Sequence, residues 1–154
     1  MIRIFDADLS DAAHAAAVVA CIDAYAADPM GGGRPLAPEV RVNMVPGLRA
    51  TPAASVLLAE CDGEIAGAAV CMMGFSTFAA RPRLNLHDLS VLPRFRGRGV
   101  GRALVEAVAE RARAAGCSAV SLEVRLDNEG ARQLYRSCGF GEGFAPMEFW
   151  LRSL

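Results

Sequence analysis

Residues 92–104 read LPRFRGRGVGRAL, and within them stand four arginines (94, 96, 98 and 102) and three glycines (97, 99 and 101). Glycine lets main-chain N–H groups approach a ligand without a Cβ in the way, and arginine supplies charge in a fixed fork. That chemistry suits a phosphate, and three phosphate-bearing ligands compete. Single-stranded RNA would need stacking aromatics, of which only Phe95 is close, and an overall basic excess. A dinucleotide fingerprint needs Gly-x-Gly-x-x-Gly after a first parallel strand; here the spacing is Gly-x-Gly-x-Gly and a hairpin precedes it. The third reading is a pyrophosphate cradle at a helix N-terminus, with the N–H groups of residues 97–102 aimed at the anion and the helix dipole behind them. An arginine-rich loop that merely caps a surface helix stays open beside it.

The totals narrow the field. The 154 residues carry a net charge of −1, so any basic function is local, and 53% are hydrophobic, enough for a packed core. All sixteen positive residues are arginine. Without lysine there is no P-loop lysine and no Schiff base for pyridoxal phosphate. Five cysteines at 21, 61, 71, 117 and 138 form no Cys-x-x-Cys pair, and His14 and His87 lie far apart, so no structural zinc site is expected. The cysteines read as buried thiols of a reducing cytoplasm. The opening MIRIFDADLS has no long apolar stretch, and no run reaches the roughly 20 apolar residues of a membrane span.

The elements that must position the arginine–glycine run follow from periodicity. IRIFDA is an opening strand; Asp8 or Ser10 caps a helix to about Ala27 with Val18, Ile22 and Tyr25 on one face. Residues 28–38 form a loop whose glycine run, 31–33, is either a mobile lid or a loose connection. A short helix over 39–49 is ended or bent by Pro46 and Gly47. SVLLAEC and IAGAAVCMMGFSTF make a hairpin, residues 80–83 a turn, and LNLHDLSVL a strand stopped at Pro93. Gly99–Ala115 is an amphipathic helix with Val100, Leu104, Val108 and Ala112 inward, closed by Gly116. Strand AVSLEVR, a helix over 128–138 capped by Asp127 or Asn128, and a last strand PMEFWLRSL complete the order β-α-α-β-β-β-α-β-α-β. The fold class is α+β: a single mixed, mostly antiparallel central sheet flanked by helices, one domain over residues 1–154.

Arg96-x-x-Gly99-x-Gly101 directly after HDLSVLP, followed by Asn128-x-x-Ala131-x-x-Leu134-Tyr135 and Gly139-Phe140, resembles the GNAT superfamily of N-acetyltransferases. The resemblance covers residues 55–140 well and the N-terminal part loosely. Within it, GFSTFAARPRLNLHDLSVLP looks most like the diamine (spermidine/spermine) acetyltransferase branch. The resemblance implies acetyl-coenzyme A as co-substrate, lying where two central strands splay, with a β-bulge in the strand before the cradle. Leu89, Ser90 and Val91 would bond the pantetheine amides as an added strand does, and the Leu89 N–H would polarise the thioester carbonyl. Arg96, Gly97, Arg98, Gly99, Val100, Gly101 and Arg102 would hold the pyrophosphate, and Asn128 would touch the pantetheine arm.

Tyr135 matches the family's general acid. A phenol near pKa 10 facing a thiolate near 8.5 gives up its proton uphill by about 2 kcal/mol, which makes it chiefly a hydrogen-bond donor to sulfur; packing on the sheet is its other reading. The diamine-like relatives carry a glutamate then an aspartate where this chain has His87-Asp88. An imidazole is a better base at neutral pH than a carboxylate, and neighbouring strand residues face opposite ways, so His87 alone is expected in the cleft, acting directly or through a water. A core histidine bonded to a carbonyl is the competing reading, and His14 reads as plain surface. Tyr25, Asp28 and Glu123 are candidate contacts for a cationic amine, each equally readable as an ordinary surface or core residue.

The expected function is acetyl transfer to a primary amine of a small molecule, with no nucleic acid, membrane or metal as partner. A homodimer built on the apolar MEFWL segment is expected, as is common in that family. The alternatives are a non-catalytic acyl-CoA-binding module of the same fold and, far behind, an RNA-binding domain.

Overall fold

The computed structural model describes residues 1–141 and 147–154. Strand β1 (Ile2–Asp6) runs antiparallel beside β2 (Ala54–Cys61), with Ile4 opposite Ala59. β2 turns into β3 (Glu64–Ser76) at Asp62 and Gly63, whose φ angles of 55° and 87° are both left-handed. A two-residue turn of that hand matches the twist of the strands it joins. β3 pairs antiparallel with β4 (Arg81–Val91), and β5 (Val120–Ser121) joins β4 in parallel, giving a five-stranded sheet in the order β1-β2-β3-β4-β5. This is the expected mixed, mostly antiparallel sheet.

Alternation along β2 sorts the core into two layers. Val56 and Leu58 face α1 (Ala12–Ala27) and α2 (Pro38–Ala50), packing with Val18, Cys21, Met44 and Leu48. Leu57 and Ala59 face α3 (Val100–Ala114), packing with Val100, Leu104, Val105 and Val108, all within 1% of full burial. The inner face expected for α3 is the one observed. α4 (Glu129–Ser137) lies against α3. At the centre, β3 and β4 approach so closely at Gly67 that an added Cβ would stand 2.5 Å from the Ser90 carbonyl oxygen.

Several local expectations are corrected. The cap of α1 is Asp11, which accepts from the amides of Ala13 and His14 at 2.8 and 2.9 Å; Asp8 instead accepts from the Ser10 amide and hydroxyl. His14 is not plain surface: its Nδ1 accepts from the Asp8 amide at 3.0 Å, and its ring packs on Phe5. α2 continues past Pro46 to Ala50. The carbonyl that Pro46 deprives of a partner belongs to Val42, which is 72% exposed and so open to water. Arg81–Arg83 belong to β4, not to a turn, because they pair with Gly74–Ser76. The expected β5 over 119–125 shrinks to two residues. Of the expected last strand, Pro146 lies outside the described residues, and Met147–Leu154 form no strand, with Met147, Phe149, Trp150 and Leu151 more than 80% exposed. The five cysteines are free, three of them buried.

Leu104 is fully buried at the centre of the α3 layer. Leu104→Ala is expected to lower unfolding free energy by about 2–5 kcal/mol in a denaturant titration, as cavity-forming leucine truncations do.

Candidate active site

Past Asn85 the sheet opens. β4 and β5 share only two pairs, Leu84–Val120 and Asn85–Ser121, so from Leu86 to Val91 one edge of β4 faces no strand among the described residues. The direction of the main-chain groups on this stretch follows from two contacts. The Leu92 N–H donates to the Ala66 carbonyl at 2.9 Å, and the Ser90 carbonyl points at Gly67. Alternation in an antiparallel ladder then turns the groups of Leu89 and Val91 to the open edge. Ser90 is turned the other way in its side chain too: its buried hydroxyl donates to the Cys21 carbonyl of α1 at 2.6 Å.

The β3–β4 register breaks once. Val70 faces Asp88 and Cys71 faces Leu86, so His87 has no opposite number. This bulge lets Leu86 and Leu89, three residues apart, both join the α3-side core, while Asp88 and Ser90 pair with Val70 and Ala68 of the α1-side core. His87 is exposed and lines the cleft, which rules out a core histidine. Asp88 is half-buried, and burial pushes its carboxyl above the usual carboxylate range while His87 acts in the opposite sense.

The cleft, about 1120 Å³, runs from the start of α3 to the end of α1. A 3-10 turn at Pro93–Phe95 is anchored by the buried Phe95 ring. The chain then passes Gly97 and Gly99, whose φ angles of 73° and 86° cost an L side chain roughly 1–2 kcal/mol each. Gly99 is the N-cap of α3 and offers no side-chain cap. Among the described residues, none of the amides of residues 97–102 donates to a protein acceptor; the first one in the helix that does is Ala103, to the Gly99 carbonyl. These amides, a helix N-terminus and the absence of Cβ atoms suit a diphosphate.

In the unliganded chain the arginines hold protein partners. Arg94 pairs with Glu64 at 2.6 Å, Arg98 with Asp62, and Arg96 with Asp28 at 3.0 Å. Arg102 donates to the Ser137 carbonyl and hydroxyl at 3.2 and 2.9 Å. Each is therefore engaged by the protein, and Arg102 ties α3 to the end of α4. Gly101 strengthens that tie, since an added Cβ would lie 3.1 Å from Leu134 Cδ2. Its role is thus helix packing as well as access.

α4 in turn places Tyr135, which lines the cleft and packs against Phe140 at 5.9 Å. Burial first, and Tyr25 second, push its phenol up to about 12. Asn128 caps α4, its Oδ1 accepting from the Ala131 amide at 3.2 Å, and borders the same cleft. At the other end stand Tyr25, Asp28 and Glu123. Glu123 accepts from Asn85 Nδ2 at 3.3 Å. Tyr25 is raised by burial and then by the neighbouring Asp88. The glycine run is neither loose nor free: Gly31 and Gly33 donate to the Asp28 carbonyl, Gly32 donates to that of Ala26, and a Cβ on Gly31 would collide with the Tyr25 carbonyl. Arg125 also lines the cleft and was not singled out by spacing, while Asp88 lies outside the lining and acts through its charge on Tyr25. Among the described residues no cluster of three or more His, Cys, Asp or Glu is gathered for a metal, and no helix is long and apolar enough to cross a membrane.

The model of the acetyltransferase (GNAT) family matches residues 19–140. The chain belongs to this acetyltransferase family. It is 35% identical over 94 residues to an uncharacterized N-acetyltransferase of Methanocaldococcus jannaschii, covering 60% of this chain and 41% of that protein. The chain spans less than half the length of the first curated relatives it matches. Solved structures with the same fold include a probable acetyltransferase, with a TM-score of 0.84 at 21% identity over 99% of this chain and 98% of that one. Another is AAC(6′)-Iy in complex with the bisubstrate analogue CoA-S-monomethyl-acetylneamine, with a TM-score of 0.77 at 19% identity over 99% of each chain.

The chain has two tyrosines, and both are raised above the ordinary phenol value near 10. Ultraviolet titration of the native protein is expected to show less phenolate at pH 10 than two ordinary phenols would. Its last ionisation, near pH 12, should vanish in Tyr135→Phe.

Proposed function

We propose that this protein is an N-acetyltransferase that moves the acetyl group of acetyl-CoA to the primary amine of a small molecule, by direct attack in a ternary complex. The observation that carries the reading is the set of unengaged amides at 97–102, continuous through the open edge of β4 with the phenol of Tyr135. A diphosphate on those amides lays the pantetheine arm along β4, where the main-chain groups of Leu89 and Val91 bind it as a further strand, with Ser90 fixing the strand against α1 and Asn128 bordering the arm. A solved structure of the same fold was crystallised with a CoA-linked acetylneamine, a ligand of the class proposed here.

The amine nitrogen attacks the thioester carbon, the C–S bond breaks, and coenzyme A leaves as a thiolate. The Leu89 N–H stabilises the developing oxyanion. The attacking ammonium first loses a proton, which His87 takes directly or through a water, and the second proton leaves the nitrogen as the amide forms and ends on the departing thiolate, giving free coenzyme A thiol. Tyr135 faces the sulfur. With its phenol near 12 and a thiol near 8.5, full transfer of its proton is uphill by on the order of 5 kcal/mol, so it acts as a hydrogen-bond donor to the thiolate. Tyr25, Asp28 and Glu123 form the acceptor end, suited to a cationic amine of the diamine type. Residues 1–154 act as one cytoplasmic domain, paired as a homodimer through the exposed apolar C-terminal segment.

The test is CoA release from acetyl-CoA across a panel of amines, corrected for the half-buried Cys117 and Cys138 of the protein itself. Turnover with at least one small primary amine is expected, and Tyr135→Phe should lower kcat by about 100-fold or more while CoA still binds. Tight CoA binding without turnover on any amine would instead mark a binding module.

A further inference from the structure

Arg96 and Asp28 were each expected to touch a ligand, one the cofactor and the other the acceptor, yet they hold one another. Arg96 Nη2 lies 3.0 Å from Asp28 Oδ2, while Arg96 Nε donates to the Val91 carbonyl at 3.2 Å. A single guanidinium thus spans the amide cradle that begins one residue later, the open edge of β4, and the C-cap of α1. Asp28 organises its own surroundings without that arginine. Its Oδ1 accepts from the Met30 amide at 2.8 Å, and its carbonyl accepts from Gly31 and Gly33. The Met30 amide first, and Arg96 after it, keep the carboxyl below the usual carboxylate range. Both side chains line the same cleft, with Arg96 about half exposed and therefore movable.

We propose that Asp28 is a latent cation site, neutralised by Arg96 until an anionic ligand on the neighbouring amides draws that arginine away. This rests on the acetyl-CoA reading above. The diphosphate and the Asp28 carboxylate compete for one guanidinium that stands beside both. When the diphosphate takes it, Asp28 Oδ2 loses its counter-ion while Oδ1 stays fixed by Met30, and a preoriented carboxylate then faces the acceptor end of the cleft. An ammonium group replaces the guanidinium there. The acceptor end is therefore anionic only when the cofactor is bound, which couples the two sites with no movement of the main chain.

Competition fixes the sign of the test. Asp28→Asn keeps the oxygen that accepts from Met30 and removes the charge that holds Arg96, so it should tighten CoA binding by about two- to fivefold, the range of a partly exposed ion pair. A merely structural strut would give weaker or unchanged binding. Isothermal titration with CoA is the readout, on wild type, Asp28→Asn, Arg96→Gln and the double variant. Asp23→Asn, on the same helix, controls for net charge, and Asp28→Ser is a second variant should Asp28→Asn melt early. The expected result is tightening in Asp28→Asn, absent in the Arg96→Gln background and absent in Asp23→Asn. Weaker or unchanged binding in Asp28→Asn, or the same gain with Arg96 removed, overturns the latch while leaving the cofactor site standing. Failure of wild type to bind CoA at all overturns both.

Discussion

The first turn of an α-helix cannot satisfy its own N–H groups, and this chain leaves that debt open where α3 begins. A side-chain cap is the usual remedy, but the N-cap is Gly99. The positive φ angles at 97 and 99 then hold successive amides outward instead of folding them onto nearby carbonyls. An anion at such a terminus gains about 0.3–1 kcal/mol from the dipole in exposed settings and up to about 2 when partly buried. α3 cannot turn to hide these donors, because Val100, Leu104, Val105 and Val108 fix it against the sheet. The exposed amides are therefore a consequence of the core.

Two departures from regular strand geometry extend that terminus into a cleft. β5 leaves β4 after two pairs, which opens the main-chain edge of Leu89 and leaves the Val91 carbonyl to Arg96 Nε. The bulge at His87 shifts the alternation so that an imidazole stands in the opening while Asp88 lies behind it, on the face toward α1 and Tyr25. α4 is then set by contacts from the cradle itself, Gly101 with Leu134 and Arg102 with Ser137, so the phenol of Tyr135 and the amides of 97–102 keep a fixed relation. The arginines contribute by bracing the loop on Glu64, Asp62 and Asp28 more than by offering free charge.

Much of this was legible in the residues. The glycine spacing, the inner stripe of α3, the Asp62-Gly63 turn and the position of Tyr135 on the helix after the splayed strand are local signals, and each has one dominant physical cause. What escaped depends on partners distant in the chain. The cap at Asp11 was hidden among three acidic and hydroxyl residues that all suit a cap. The role of His14 needs the Asp8 amide folded back on it. Arg96 and Asp28 are 68 residues apart, and no spacing rule joins them. The shortness of β5 is a property of strand divergence, since Val120, Leu122 and Val124 of AVSLEVR keep a strand-like apolar alternation of which β5 uses only two residues. The helix expected over 39–49 is present as α2, and Pro46 does not end it because the cost of a proline depends on whether the orphaned carbonyl meets water.

The proposed function requires that the main-chain N–H groups of residues 97–102, unengaged among the described residues, are taken up by a diphosphate-bearing ligand. Residue-resolved amide hydrogen exchange with and without CoA reads this directly. Fast exchange at 97–102 in the free protein and marked slowing there on CoA addition are expected, with the buried core of α3 unchanged. Amides already protected without ligand, or unaffected by saturating CoA, would contradict it.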